Sequence, residues 1–363
     1  MSVLDLDEVL EFAIALAHRA GQAIMEGSET RFKNASTCGA DAAGFDEKKN
    51  TADLVTETDQ NTEKLVMEAI KARFPDHQFI GEESWAAGQQ SEITDAPTWI
   101  IDPIDGTTNF VKGFPFVCIS IGFLCQSEPV IGVIFAPFLG QLYAARKGSG
   151  AFTTSPLFPE RRPLPLSKPQ PLSTFKQALI AFEWGSDRSK EVMDKKSRTF
   201  QRLTGDAAGG VEGGEMALGV RSVGSAALNF AHVAAGCLDV YWEIGCWAWD
   251  VCAGMVIAQE AYVALLTQRM CCRGIQGAGR KGSAVVVASG CHARCADRSQ
   301  VPRGARDRRW RERVGRGGPE AHDPDLLRCC GGMGSQVATD SEFRREAHLS
   351  VHRTPYSEPW CRR

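Results

Sequence analysis

The sequence predicts a mixed α/β protein, and three observations along the chain support this class. Residues 5–26 and about 58–73 have the apolar spacing of helices that pair on one side of a sheet. From residue 176 to residue 261, strand-like and helix-like segments alternate again. Between these regions, short apolar segments separated by turns predict strands at 77–81, 98–102, 116–125, 129–136 and 141–145.

The beginning of the chain indicates a soluble protein. Residues 1–16 form an acidic amphipathic pattern without the basic flank and uninterrupted apolar region of a signal peptide. No apolar run approaches the roughly 20 residues that span a bilayer. We therefore expect a cytoplasmic location and no membrane partner.

Two polar segments are predicted to connect these elements. Residues 30–51 are rich in Gly, Ala and Lys and are longer than a typical connection, so we expect a mobile loop. A solvated insertion is an equal alternative for its first half. Residues 155–175 are Pro-rich and predict a connection on the surface.

The segment Asp102-Pro103-Ile104-Asp105 carries the strongest chemical signal. It follows the apolar run Trp99-Ile100-Ile101, and Pro103 has no N–H with which to continue a strand ladder. The two carboxylates are therefore expected where a strand ends. The Gly-Thr-Thr that follows allows an unusual backbone angle and outward N–H groups. Carboxylates beside free N–H donors suit a hard divalent cation that bridges to a phosphate oxygen.

An Asp-x-x-Asp pair alone is short enough to be a solvated acidic turn. Two further segments favour a metal site. Glu82 and Glu83 directly follow a short apolar strand. Asp250 precedes an apolar helical stretch, where capping and the helix dipole favour an anion. Acidic residues thus occur at the ends of three predicted elements, each next to apolar residues. This pattern favours a single metal site over three unrelated solvated turns.

Five segments together resemble a known family. They are Asp53-Leu54-Val55-Thr56-Glu57-Thr58-Asp59, Gly81-Glu82-Glu83-Ser84, the twelve residues 99–110, residues 219–227 and Trp249-Asp250-Val251-Cys252-Ala253-Gly254. In this order and spacing they resemble the inositol monophosphatase family of magnesium-dependent, lithium-sensitive phosphatases. The resemblance extends from about residue 5 to residue 261. Within the family the sequence is most similar to fungal members associated with quinate utilisation.

The resemblance assigns metal ligands to this chain. It implies that Glu82, Asp102 and Asp105 hold a first Mg²⁺ together with the backbone carbonyl of Ile104. Asp102, Asp105 and Asp250 would hold a second ion. A phosphate monoester is a dianion that carboxylates alone would repel, and bound Mg²⁺ reverses the charge of such a site.

The resemblance also assigns catalytic residues. Thr107 would orient the attacking water, and Glu82 would act as its base. Asp59 with Glu82 would support a third, largely water-bound ion, and Lys48 would lie close to the waters of the metal site. No Cys or Ser nucleophile is needed, because direct in-line attack by water is the expected route.

A further set of residues is expected to contact the substrate. Gly106 and Thr107 would offer N–H groups to the phosphate, and Glu243 would accept hydrogen bonds from inositol hydroxyls. The residues predicted to contact substrate are Gly106, Thr107, Gly224, Ser225, Ala226, Glu243 and Asp250.

The resemblance implies a layered α/β/α/β/α sandwich and a homodimer. We divide the chain into an N-terminal metal-binding half at 1–154, a C-terminal α/β half at 155–261 and an atypical tail at 262–363. Because the predicted ligands come from both halves, the site is expected in the cleft between them.

The tail differs in composition from the rest of the chain. It holds 18 Arg, one Lys and 10 acidic residues, a net charge of +9, whereas residues 1–261 carry −12. Three interpretations are open. The reading frame is shifted near residue 262, or a divergent tail supplies a closing strand through residues 284–288, or a basic extension around 303–316 binds nucleic acid or an acidic partner. The last is the weakest, since arginine runs are usually solvated, so a nucleic-acid partner is not expected.

The predicted function is magnesium-dependent hydrolysis of a small phosphate monoester, with myo-inositol monophosphate as the first candidate. A nucleotide 3′-phosphate or a sugar phosphate is the alternative substrate. A regulatory or binding homologue without turnover is the alternative outside the enzyme class, and the intact set of ligands disfavours it.

Overall fold

The computed structural model describes residues 4–37, 45–47, 54–89, 91–167, 172, 174–261, 263–267 and 284–288. Two helices, α1 (Leu6–Thr37) and α2 (Glu57–Arg73), lie side by side. The short strands β1 (Phe45–Glu47) and β2 (Leu54–Thr56) pair antiparallel between them in the chain. Lys48 lies outside the described residues.

The predicted end of the first helix was wrong, because α1 continues to Thr37. Two tertiary contacts hold its last turns. The Arg31 guanidinium donates a hydrogen bond to the carbonyl of Val111. The Phe32 ring packs against Gly113, where a side chain would collide with it. Part of the predicted loop at 30–51 is therefore helix.

Seven strands form the first sheet, and their order in the sheet is their order in the chain. β3 runs parallel to β4, and every later neighbour is antiparallel. The short helices α3 (Glu82–Ala86) and α4 (Thr107–Lys112) follow β3 and β4. All five predicted strands are confirmed. The strands are β3 (Gln78–Gly81), β4 (Thr98–Asp105), β5 (Cys118–Cys125), β6 (Glu128–Ala136), β7 (Gln141–Arg146), β8 (Ala151–Ser155) and β9 (Phe158–Pro163).

Strand β9 corrects the prediction that 155–175 is only a surface connection. It pairs with β8 at the edge of the sheet, and its residues from Pro159 to Pro163 are exposed. An edge strand tolerates proline, because one of its sides needs no ladder hydrogen bonds. The first sheet thus extends to Pro163, while the division of the chain at residue 154 stays a prediction.

Five strands form the second sheet, in the order β11-β10-β12-β14-β13. β10 is parallel to β11 and β12, and β14 is antiparallel to both of its neighbours. Strand β14 lies at residues 284–288, where one of the open interpretations of the tail placed a closing strand. The strands are β10 (Leu179–Phe182), β11 (Gly219–Arg221), β12 (Val240–Ile244), β13 (Ala264–Thr267) and β14 (Ala284–Ala288), and the helices of this half are α5 (Lys190–Thr204), α6 (Ala226–Ala235) and α7 (Ala248–Glu260).

The helices and sheets stack in five layers. The apolar face of α1 packs with α2 on one side of the first sheet, while α6 and α7 lie between the two sheets. Helix α5 covers the outer face of the second sheet, where Leu203 packs near Phe182 and Trp242. This is the predicted α/β/α/β/α sandwich. In the described part of the chain, no helix is both long and apolar enough to cross a bilayer.

Helix α7 approaches the first sheet through two glycines on neighbouring strands. Gly122 of β5 and Gly132 of β6 are cross-strand partners. A Cβ on Gly122 would collide with the Cys252 side chain, and one on Gly132 would collide with the backbone carbonyl of Ala253. The absence of both side chains lets α7 lie directly on the sheet.

We expect Gly132→Ala to lower the free energy of unfolding by about 1–3 kcal/mol, because the added methyl must push the α7 backbone away. Urea unfolding measures the change. Gly209→Ala is the control, since a Cβ there would lie 3.4 Å from the nearest atom, the Asp206 carbonyl oxygen. The control should change stability by less than about 0.5 kcal/mol. Equal effects of the two substitutions would contradict the close packing of α7.

Candidate active site

The end of β4 carries two buried carboxylates on either side of a bulge. Its ladder with β5 pairs Asp102 with Ser120 and then resumes at Asp105 with Cys118. Pro103 lies in the interruption, where no N–H is required. The strand therefore does not end at Asp102, as predicted, but continues irregularly to Asp105. The Asp102 carboxylate accepts a hydrogen bond from the Ile104 N–H at 3.0 Å.

Gly106 turns the chain from β4 into α4. Its φ of 96° lies in the left-handed region, and a Cβ there would lie 2.8 Å from the Phe116 carbonyl oxygen. A residue with a side chain would be strained at this position. The turn leaves the N–H groups of Gly106 and Thr107 at the start of a helix, where N–H groups lack partners within the helix and attract anions.

The Thr107 hydroxyl links this turn to α2. Its oxygen lies 3.2 Å from an oxygen of Asp59 and 3.1 Å from the Ile104 carbonyl oxygen, and its single proton can be donated to either. Asp59 is itself held in a capping box with Thr56 at the start of α2. Asp59 is almost fully buried, and its carboxylate accepts hydrogen bonds from the Thr56 N–H, the Thr56 hydroxyl and the Thr107 hydroxyl.

A residue that the sequence analysis missed, Glu63, holds the start of α3. Its buried carboxylate accepts hydrogen bonds from the N–H groups of Glu83 at 2.7 Å and Ser84 at 2.8 Å, and also from the Ser84 hydroxyl. A side chain at Gly81 would collide with this carboxylate. Glu63 thereby positions Glu82, the first residue of α3. The signal was an acidic residue on the buried face of α2.

Asp250 comes from the second half of the chain. It lies in the first turn of α7, and its carboxylate accepts the Trp247 N–H at 2.6 Å. Burial, followed by repulsion from the charges of Asp105 and Glu82, raises the pKa of Asp250 well above its ordinary value. Asp250, Asp105 and Glu82 come from three elements, and their carboxylates lie near enough to interact electrostatically.

Asp105 is the buried contact between β4 and α6. One of its oxygens accepts the Ser225 hydroxyl at 2.7 Å and the Ala227 N–H at 2.6 Å. Burial raises the pKa of Asp105 to about 6, although the Ser225 and Ala227 hydrogen bonds oppose this rise. The same Ser225 oxygen accepts the Leu228 N–H and caps α6.

The loop before α6 is organised by a second residue that was missed, Glu183. Its carboxylate accepts hydrogen bonds from the N–H groups of Val223 at 2.7 Å and Gly224 at 2.9 Å, and from the side chains of Ser222 and Asn229. The signal was available, since Glu183 directly follows an apolar strand, as Glu82 does.

Asn109 joins the two halves of the site. Its amide donates hydrogen bonds of 2.7 Å to the carbonyls of Phe116 and Val223. Gly224, with φ of 74°, leaves room for this side chain, because a Cβ there would lie 3.1 Å from it. The loop of the second half is therefore held against the turn at Gly106.

The predicted pocket residues have partners within the protein. The Gly224 N–H donates a hydrogen bond to Glu183, and the Ser225 hydroxyl donates one to Asp105. Both polar groups therefore have a hydrogen-bond partner within the protein. Glu243 is buried on β12 and accepts a hydrogen bond of 2.5 Å from the Tyr241 hydroxyl. Burial raises the pKa of Glu243 to about 7, against the effect of this hydrogen bond.

The available donors fit a hard divalent cation. Within the described ranges, no group of three or more His, Cys, Asp or Glu side chains is positioned to hold a metal ion. The donors around the bulge are instead carboxylate oxygens and the Ile104 carbonyl. An open set of oxygen donors suits Mg²⁺, which keeps several waters, whereas zinc sites in proteins use mostly nitrogen and sulfur.

Several of the predicted site residues interact with one another directly. Asp59, Thr107 and Ile104 are joined by hydrogen bonds, as are Asp105 and Ser225. Asp250 is electrostatically coupled to Asp105 and Glu82. Lys48 cannot be placed, since it is outside the described residues, and the functional roles of all these residues stay predictions.

Known proteins share this architecture. Residues 5–294 match the inositol monophosphatase family. The chain is 42% identical over 270 residues to the quinic acid degradation cluster protein x of Neurospora crassa, covering 71% of this chain and 78% of that protein. It is 45% identical over 230 residues to inositol monophosphatase 2 of Saccharomyces cerevisiae, covering 62% and 73%. An inositol monophosphatase structure from Anabaena (Nostoc) sp. PCC 7120 aligns with a TM-score of 0.59 and 29% identity, covering 80% of this chain and 94% of that one.

The layered fold and its carboxylate-lined site define a phosphatase. The chain belongs to the inositol monophosphatase family. The match reaches residue 294, beyond residue 261 where the motif resemblance ended, and so includes β14. The three interpretations of the tail stay open.

We expect Glu63→Gln to lower the free energy of unfolding by about 1–3 kcal/mol, because charge-assisted hydrogen bonds to the start of α3 are lost. Thermal unfolding followed by circular dichroism provides the measurement. The matched control is Glu68→Gln, on the exposed face of the same helix. If the two variants melt at the same temperature, Glu63 does not hold α3.

Proposed function

We propose that this protein hydrolyses myo-inositol monophosphate to myo-inositol and phosphate in a magnesium-dependent reaction with water as the nucleophile. The observation that carries the proposal is the convergence of Glu82, Asp105 and Asp250 beside the turn at Gly106. Carboxylates that repel one another favour a bound cation, and N–H groups at a helix start favour a phosphate.

The proposed ligands of the first Mg²⁺ are Glu82, Asp102, Asp105 and the Ile104 carbonyl. Asp102, Asp105 and Asp250 would hold a second ion. When bound, the cations supply positive charge that attracts the phosphate dianion, lowers the pKa of water and stabilises the leaving oxygen. The oxygen-only donor set supports this choice of metal.

The protein groups around the phosphate have separate roles in this proposal. The Thr107 hydroxyl orients the attacking water, and its contact with Asp59 supports that role. Glu82 accepts the proton of the water. The N–H groups of Gly106 and Thr107 bind phosphate oxygens, and Lys48 is proposed to lie near the site waters. Asp59 with Glu82 would support a third, weaker ion.

The substrate preference rests on Glu243. A buried carboxylate is a strong acceptor for hydroxyl groups, and a polyol offers several such donors. The loop of Gly224, Ser225 and Ala226 would line the substrate pocket, and Asp250 would also contact the substrate. These features favour an inositol phosphate over a monoester that lacks ring hydroxyls.

The proposal also includes inhibition by lithium, a homodimer and a cytoplasmic location, each implied by the family. Light scattering of the purified protein after gel filtration measures the oligomeric state. A mass near twice 39.5 kDa is the expected result, and a mass of one chain would contradict the dimer.

The direct experiment is phosphate release from inositol 1-phosphate by purified protein, with and without Mg²⁺ and then with lithium. Magnesium-dependent release that lithium inhibits is expected. No release by protein with a cooperative thermal transition would contradict the proposed substrate.

We expect Asp102→Asn to reduce kcat/KM at least about 100-fold, because the cation site loses one of its charges. Titration calorimetry with MgCl₂ should show weaker binding by the same variant. Asp76→Asn, on the exposed loop before β3, is the control and should leave both measurements unchanged. Unaltered magnesium binding by Asp102→Asn would contradict its role as a ligand.

A further inference from the structure

Lys196 is a buried charged residue that the proposed mechanism does not use. It lies on α5, at helical spacing with Phe200 and Leu203, and its side chain is fully buried. Lysine is rarely buried in this way unless its ammonium group is paired. Its Nζ donates hydrogen bonds to the carbonyls of Trp184 at 2.6 Å and Ile244 at 3.2 Å.

These two carbonyls belong to neighbouring strand ends. Ile244 is the last residue of β12, and Trp184 follows the end of β10 by two residues. Because β10 and β12 are parallel, their carboxyl ends lie at the same edge of the sheet. Lys196 therefore ties together the two segments that leave this edge.

Glu243 lies close to the ammonium group of Lys196. Gly185 follows Trp184 with φ of 58°, and a Cβ there would lie 3.2 Å from Oε1 of Glu243 and 3.3 Å from Nζ of Lys196. The Lys196 ammonium and the Glu243 carboxylate thus face the same glycine. The charge of Lys196 opposes the burial effect that raises the pKa of Glu243, and burial lowers the pKa of Lys196.

The other oxygen of Glu243 is held by Tyr241, which lies on the same face of β12. The Tyr241 hydroxyl restrains Glu243 by a hydrogen bond within its own strand. Gly185, in the segment after β10, and the Lys196 ammonium, on α5, lie near the other oxygen of Glu243, Oε1. The carboxylate is therefore positioned by three elements of the second half. The phosphate-binding turn at Gly106 belongs to the first half.

We propose that Lys196 is a positioning residue for polyol recognition, which holds the two strand ends together and orients Glu243 toward the hydroxyl groups of the substrate. This inference rests on the proposed function. Lys196 touches no reacting atom in this scheme. Its loss should weaken binding of a substrate with ring hydroxyls and leave the hydrolytic step intact.

The test is steady-state kinetics of Lys196→Met with two substrates, inositol 1-phosphate and phenyl phosphate. We expect the KM for inositol 1-phosphate to rise about tenfold or more, as for the loss of a charged hydrogen-bonding group. The kcat for that substrate and both parameters for phenyl phosphate should change less than about threefold. An equal loss on both substrates, or an unchanged KM for inositol 1-phosphate, would overturn the proposal.

Lys196→Arg is the second variant, because it keeps the charge but alters the geometry of the two carbonyl contacts. A KM increase of a few fold, confined to inositol 1-phosphate, is the expected result. If Lys196→Met does not fold, this variant decides the question, and an effect common to both substrates would overturn the inference.

A double-mutant cycle tests whether Lys196 affects substrate binding through Glu243. In a Glu243→Gln background, Lys196→Met should raise the KM for inositol 1-phosphate less than about twofold further, since the two residues act as a unit. Fully additive effects would show that Lys196 does not act through Glu243. A wild-type protein that hydrolyses phenyl phosphate but not inositol 1-phosphate would refute the proposed substrate and this inference together. One that hydrolyses neither would refute the proposed activity itself.

Discussion

The buried carboxylate of Asp105 is the group on which the rest of the site depends. It ends β4, the second of the seven strands of the first sheet, and it accepts hydrogen bonds from Ser225 and Ala227 at the start of α6 in the second half. Docking of the two halves and formation of the site are therefore the same interaction. Any change that separates α6 from β4 would also leave a buried carboxylate without its donors.

Burial of this carboxylate brings an electrostatic cost that the surrounding structure partly offsets. Asp250 and Glu82 lie close enough to raise the energy of the ionised cluster. Backbone N–H groups oppose this effect, since Asp102, Asp105 and Asp250 each accept one. The remaining repulsion is the physical argument for the proposal that the cluster binds a cation.

Two other buried glutamates hold the segments around the cluster by accepting hydrogen bonds from their backbone N–H groups. Glu63 holds the start of α3, and Glu183 holds the loop before α6. Each accepts two backbone N–H groups, which a neutral side chain would bind less strongly. The position of α7 has a different origin, because Gly122 and Gly132 allow its backbone to lie directly on the first sheet. That packing brings Asp250 toward Asp105.

Several features followed from local sequence pattern alone. The strands from β3 to β7, helix α2 and most of α1 could be predicted, because their apolar spacing reflects burial within one element. The acidic residues Glu82, Asp102, Asp105 and Asp250 were found because each lies at the end of such an element. The short apolar run at 284–288 offered a closing strand only as one of three interpretations of the tail.

The sequence by itself determined the class of fold, the order of its elements and the acidic positions of the candidate site. Tertiary structure decided the extension of α1 to Thr37, the pairing of β9, and the roles of Glu63, Glu183 and Lys196. The reason is the range of the interactions. Alternation and helical spacing are local properties of the chain, whereas the partners of these three buried charges include residues at least 12 positions away. Only the folded chain brings such donors and acceptors together.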